Sequence, residues 1–148
     1  MRIGNGIVAT VLRSPAHRLL SGSTDLIRYT GRRSGRVIVT PTQYVSCGDD
    51  VVILVGRAAS KTWWRNFTEV CDVDVLVRGT WRAMTGQVVL GAKEPETAAP
   101  LLDSYLARFP RAAKTLGGQT RAQQLDNAIV VRCRPREHRA LSSRCGCL

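Results

Sequence analysis

A chain of 148 residues is one ordinary domain, long enough to bury a real core, and its 44% hydrophobic content excludes global disorder. No apolar run approaches the roughly 20 residues that a bilayer-spanning helix needs. The formal charge is +11, from 22 basic against 11 acidic residues, which invites nucleic acid, anionic lipid or an anionic cofactor as partner. Only Lys61, Lys93 and Lys114 are lysines, so GC-rich codon usage is an equally good source of the excess arginine.

Ile3, Ile7, Val8, Val11 and Leu12 share one face of an N-terminal helix, which Ser14-Pro15 breaks. This amphipathic segment, residues 1–24, either packs on the domain or rests on a membrane surface. It is short, Arg13 ends its apolar stretch and no clear cleavage site follows, so the expected location is cytoplasmic, with membrane association through the helix as the alternative.

From Asp25 the pattern turns to β. Leu26–Tyr29 reads as a strand, a Gly31–Gly35 turn follows, and the β-branched stretch Val37–Val45 as the next strand. Cys47-Gly48-Asp49-Asp50 marks a turn, and the wholly apolar Val51–Val55 reads as a strand buried on both faces. A basic, aromatic cluster around Trp63 suits a short helix. Asp72–Arg78 alternates, with Val73, Val75 and Val77 on one face, and a turn at Gly79-Thr80 leads into Trp81–Leu90. Glu94-Pro95-Glu96 opens a helix that carries Leu101, Leu102, Tyr105, Leu106 and Phe109 inward. Asn127–Arg134 is the last strand. The expected organisation is therefore residues 25–135 as a small barrel or curved sheet, mainly β with flanking helices (α+β), and 136–148 as a basic tail.

Five cysteines without a CxxC pair, and two histidines far apart in sequence, give no zinc spacing. Cys145 and Cys147 stand in a C-terminus that only superficially fits a prenylation box. No nucleophile elbow, triad or carboxylate pair stands out, so any catalysis comes from a bound cofactor.

Two clusters bear on such a cofactor. Tyr29-Thr30-Gly31-Arg32-Arg33-Ser34-Gly35-Arg36 sets three arginines and a serine around a glycine-flanked turn, a plausible cradle for phosphate or carboxylate. Taken alone, it reads rather as a solvated hairpin. Lys61-Thr62-Trp63-Trp64-Arg65-Asn66-Phe67 places two tryptophans about 100° apart on a helix, so that one fills core and the other lines a cleft. Alone, it too fits a core cluster with solvated cations. Asn66 suits a loop-orienting role through backbone bonds.

The order of these pieces, with Thr40-Pro41 and Gly48-Asp49-Asp50 between them, resembles the deazaflavin-dependent nitroreductase family, one of the flavin/deazaflavin split β-barrel oxidoreductases. The likeness covers most of Leu26–Leu90. It implies a split, FMN-binding-like β-barrel with coenzyme F420 as cofactor and FMN as the alternative. It also implies hydride transfer to a small-molecule acceptor such as a quinone or nitroaromatic. By motif position, Arg32, Arg33, Ser34 and Gly35 meet the anionic part of the cofactor, and Pro41, Thr42 and Gln43 border its ring. Val55, Gly56 and Arg57 end the next strand against it, and Lys61, Trp63, Trp64 and Asn66 close that side. The late chain lacks the family's tyrosine cluster, leaving Tyr105 as candidate proton donor. The non-enzyme reading is a split barrel that binds flavin or lipid without turnover. Specific nucleic-acid binding is disfavoured by 5% aromatic content.

Overall fold

The structure is a computed structural model that describes residues 24–136. The expected N-terminal helix, the tail beyond Arg136 and Cys145 and Cys147 lie outside the described residues.

Seven strands form one sheet: β1 (Thr24–Thr30), β2 (Val37–Gln43), β3 (Val45–Cys47), β4 (Asp50–Leu54), β5 (Cys71–Val77), β6 (Thr80–Leu90) and β7 (Ile129–Pro135). Their order is β2-β1-β5-β6-β7-β4-β3, and every pairing is antiparallel. The two edge strands, β2 and β3, are separated in sequence by Tyr44 alone. A sheet whose opposite edges are joined by one residue has to curl on itself, and the result is a mostly-sheet half-barrel. The sequence predicts one strand over Val37–Val45. The chain instead passes from one edge to the other at Tyr44, which is buried. An unbroken run of β-formers carries no mark of that change of partner.

Two cores result. Inside the curl lie Ile27 and Tyr29 of β1, Val51 and Ile53 of β4, Val73 and Val75 of β5, Met84 of β6 and Phe67. The second core lies between the sheet and helix α1 (Pro95–Arg108). Residues of β4 alternate between the two, Val51 and Ile53 inward and Val52 and Leu54 toward α1, which is why this strand is apolar throughout. Helix α1 starts on Pro95, has Glu96 in its first turn and buries Ala98, Leu101, Leu102 and Tyr105 at helical spacing. A second, shorter helix, α2 (Arg121–Asn127), carries a capping box between Thr120 and Gln123 that the sequence reading missed. The β5–β6 turn falls on Arg78 and Gly79, one residue earlier than expected, because a two-residue hairpin loop wants positive φ at both central positions.

Candidate functional site

Sheet closure brings the end of β2 beside the end of β4, and α1 runs its last turn toward the same place. Between them opens a cavity of about 940 Å³. Pro41, Thr42 and Gln43 form one wall, and Ile53, Leu54, Val55, Gly56 and Arg57 another. Tyr105 and Arg108 from α1, Phe109 just past its end, and Arg111, Ala112 and Thr115 from the 3₁₀ turn Pro110–Thr115 complete it, together with Ser60, Lys61 and Trp63. The four cations Arg57, Lys61, Arg108 and Arg111 are exposed, and among the described residues no carboxylate lines the cavity. None of the four makes an ion pair among the described residues.

A smaller cavity of about 280 Å³ lies against the Gly31–Gly35 turn, walled by Arg32, Arg33, Ser34, Ile38, Thr62, Arg65 and Asn66. The segment Lys61–Asn66 is common to both: Lys61 and Trp63 face the large cavity, Thr62, Arg65 and Asn66 the small one. Asn66 locks that partition. Its Oδ1 accepts the Arg32 backbone N–H at 2.9 Å, and its Nδ2 donates to the Trp63 carbonyl at 2.8 Å. The loop-orienting role expected for Asn66 is thus present, and its amide is committed to protein partners.

The turn itself differs from a cradle of free backbone N–H groups. Gly31 N–H donates to the Arg36 carbonyl and Gly35 N–H to the Gly31 carbonyl, both at 2.8 Å, while Arg36 N–H donates to Ser34 Oγ at 3.2 Å. Gly35 adopts φ 66°, the left-handed conformation that a side chain resists. The N–H groups of Gly31, Arg32, Gly35 and Arg36 are thus committed within the protein, and the guanidinium groups of Arg32, Arg33 and Arg65 stand beside the turn as charged donors. Arg32 is partly anchored by Thr68 Oγ1, which accepts from its Nη1 at 3.2 Å.

Both tryptophans are partly buried and pack against the inner core, and they differ in that Trp63 alone lines a cavity. Trp63 lines the large cavity and meets Phe67 edge-on, ring centroids 6.2 Å apart. Trp64 lines neither cavity; it packs at the margin of the inner core and its indole N–H donates to the Lys61 carbonyl at 2.9 Å. Gly35 stands beside the small cavity rather than in its wall. Every other site residue named from sequence lines one cavity or the other.

Tyr105 is buried, its hydroxyl 3.5 Å from the Gln43 carbonyl to which it donates. Burial, and then the charge of Asp25, pushes its phenol up to about 12, so it stays protonated across the neutral range. Residues beyond those named from sequence also line the large cavity, Arg108 and Arg111 among them, and Asp25 is buried against Thr42 of its wall. Arg108 and Arg111 carry no local signal, being two arginines among many. Asp25 had one: an acid two residues before Ile27, on the inward-facing parity of β1. It is fully buried, and burial pushes its carboxyl up to about 7.

A family model for F420H(2)-dependent quinone reductase matches residues 8–132. Among solved structures, an F420-H2 dependent reductase (FDR-A) is 16% identical, with 75% of this chain and 93% of that chain covered and a TM-score of 0.50. HutZ, the heme storage protein from Vibrio cholerae, is 13% identical, covering 82% of this chain and 89% of its own, TM-score 0.52. A chain described as a domain-swapped dimer is 15% identical, covering 84% and 98%, TM-score 0.50. At these identities the likeness is one of fold. No curated protein matches the chain.

Proposed function

This chain belongs to the F420H(2)-dependent quinone reductase family, and we propose that it reduces a quinone, or a comparably electron-poor acceptor such as a nitroaromatic, at the expense of reduced coenzyme F420. The observation that carries the reading is the pair of cavities sharing one wall, a large one lined by apolar residues and four exposed cations without ion-pair partners among the described residues, and a small one walled by arginines. That donor set fits a planar ring bearing a long anionic tail, and among the described residues no lining carboxylate opposes it.

Coenzyme F420, when bound, supplies the hydride. Arg32, Arg33 and Arg65 hold the anionic tail with charge-assisted bonds, and Arg57 and Lys61 hold it nearer the ring. Ser34 and Gly35 shape the turn that presents those arginines. Pro41, Val55 and Trp63 exclude water from the ring, Thr42 and Gln43 border its edge, and Gly56 lets backbone approach closely. Tyr105 keeps a proton at its hydroxyl and is the candidate donor to the reduced acceptor. FMN is the alternative occupant of the same walls. Contact of the N-terminal segment with a membrane, where a lipid-soluble quinone resides, is part of the proposal; among the described residues no helix is long and apolar enough to cross one.

The test is titration of the purified protein with oxidised coenzyme F420, read by absorbance and fluorescence, followed by anaerobic oxidation of the reduced form with a menaquinone analogue. Saturable binding and acceptor-dependent oxidation are expected. The Arg32→Ala, Arg33→Ala double variant should bind about tenfold more weakly or worse, with an unchanged thermal midpoint. Absence of both binding and turnover overturns the reading, and binding without turnover supports a non-catalytic barrel.

A further inference from the structure

Asp25 is the buried acid that the proposed chemistry leaves unused. It lies in β1 on the parity of Ile27 and Tyr29, which face the inside of the curl. Thr42 sits directly opposite it in the β1–β2 register, and the Thr42 hydroxyl donates to Asp25 Oδ1. Asp25 Oδ2 is buried as well and finds no partner among the described residues. A buried carboxylate oxygen without a donor is costly to keep ionised, so such groups are commonly retained for a task. Thr42 is also part of the large cavity's wall. Thr42 therefore touches both the buried acid and the space a ligand would fill.

We propose that Asp25 is a positioning residue whose proton decides whether the Thr42 hydroxyl offers the cavity a hydrogen-bond acceptor or a donor. A threonine hydroxyl has one hydrogen and two lone pairs. While Asp25 is ionised, that hydrogen is committed to Oδ1 and only lone pairs remain for the cavity. When Asp25 takes a proton from solvent at Oδ1, it donates to Thr42 Oγ1, and the threonine hydrogen is released toward the cavity. The carboxylate passes from one negative charge to none, and nothing is oxidised or reduced.

The surroundings suit a change near neutral pH. Burial pushes the Asp25 carboxyl up to about 7, with the Thr42 bond pulling the other way. Among the described residues, Tyr105 of α1 and Cys133 of β7 are the titratable groups whose proton affinity the Asp25 charge raises. Both are themselves pushed up by burial, so both remain neutral while Asp25 titrates.

The inference rests on the large cavity being the ligand site, and the experiment separates the two. The carboxyl ¹³C resonance of Asp25, assigned by its loss in Asp25→Asn, is followed against pH in wild type and in Thr42→Val. It is expected to titrate near neutrality in the wild type and still higher in the valine variant. Titration in the ordinary carboxylate range overturns the proposal, whatever the cofactor does. Affinity for oxidised coenzyme F420 is then measured across the same pH range. Any titration of the ligand itself is common to all three proteins. The wild type should show an additional change of roughly three- to tenfold, the worth of one hydrogen bond reversed. Asp25→Asn and Thr42→Val should both lack it. A valine variant that keeps the wild-type profile also overturns the proposal. If the carboxyl titrates as expected but the cofactor binds none of the three, the functional reading falls and Asp25 keeps its control of Thr42.

Discussion

Arg57 and Arg78 are the non-glycine residues with positive φ among those described, at 53° and 50°. Arg78 sits in a two-residue hairpin loop that demands this conformation. Arg57 has no hairpin to justify it. It leaves β4 at the cavity rim, and its carbonyl accepts from both the N–H and the hydroxyl of Ser60, at 3.0 and 2.9 Å. Left-handed backbone at such a residue costs on the order of 1 kcal/mol and is tolerated where it places a functional group. Arg57→Gly should therefore raise stability by up to about 1 kcal/mol in a urea titration, yet bind coenzyme F420 several-fold more weakly. Asp25 makes a second residue-scale prediction. Its folded carboxyl titrates at about 7, above the ordinary carboxylate value of the unfolded chain. The native state thus binds the extra proton, and stability is greatest below the unfolded value and declines as pH rises until about 7. Wild type should lose thermal midpoint from acid to mildly alkaline pH, and Asp25→Asn should lose much less. A parallel decline in both would refute a buried, proton-binding Asp25.

The 3₁₀ helix Trp63–Phe67 is the element on which both cavities depend. Phe67 is its anchor: fully buried, with Tyr29 edge-on at 5.0 Å between centroids and Trp63 on its other side. Gly86 of β6 leaves room for that ring, since a Cβ there would stand 2.7 Å from Phe67 Cδ1. Phe67→Ala should cost about 3–5 kcal/mol by the usual toll of an aromatic-sized hole. It should also weaken F420 binding more than the charge-neutral change suggests, because Trp63 and Asn66 lose their support. Calorimetry beside a binding titration checks both. The short helix was legible as a cluster of aromatic and basic residues. Which tryptophan faced the cavity was not, because a 100° separation says that the two differ and not which one the core takes.

At the scale of the molecule, the excess positive charge is unevenly matched. Three arginines on or just past the strands are answered by acids: Arg132 by Asp50 at 2.8 Å, Arg28 by Asp74 at 3.1 Å, Arg136 by Asp74 at 3.4 Å. Those around the large cavity have no such partners among the described residues, so the field concentrates where an anionic ligand would enter. Binding of F420 should accordingly weaken about tenfold between roughly 0.05 and 0.5 M salt, as screening shortens that field. The Arg32→Ala, Arg33→Ala variant should show a shallower dependence, measured by the same fluorescence titration. The sequence by itself determined the strands of β1 and β4 to β7, the inward face of α1 and the arginine-rich turn. These are local matters, written in a period of two, a period of 3.6 and the chemistry of turns. Only the tertiary structure decided that β2 and β3 are opposite edges joined at Tyr44, that Arg108 and Arg111 line one cavity with Arg57, and that Asp25 is buried against Thr42. Each of those depends on how far a twisted sheet curls before its edges meet, and that is settled by packing between residues distant in the chain, not by any residue's neighbours.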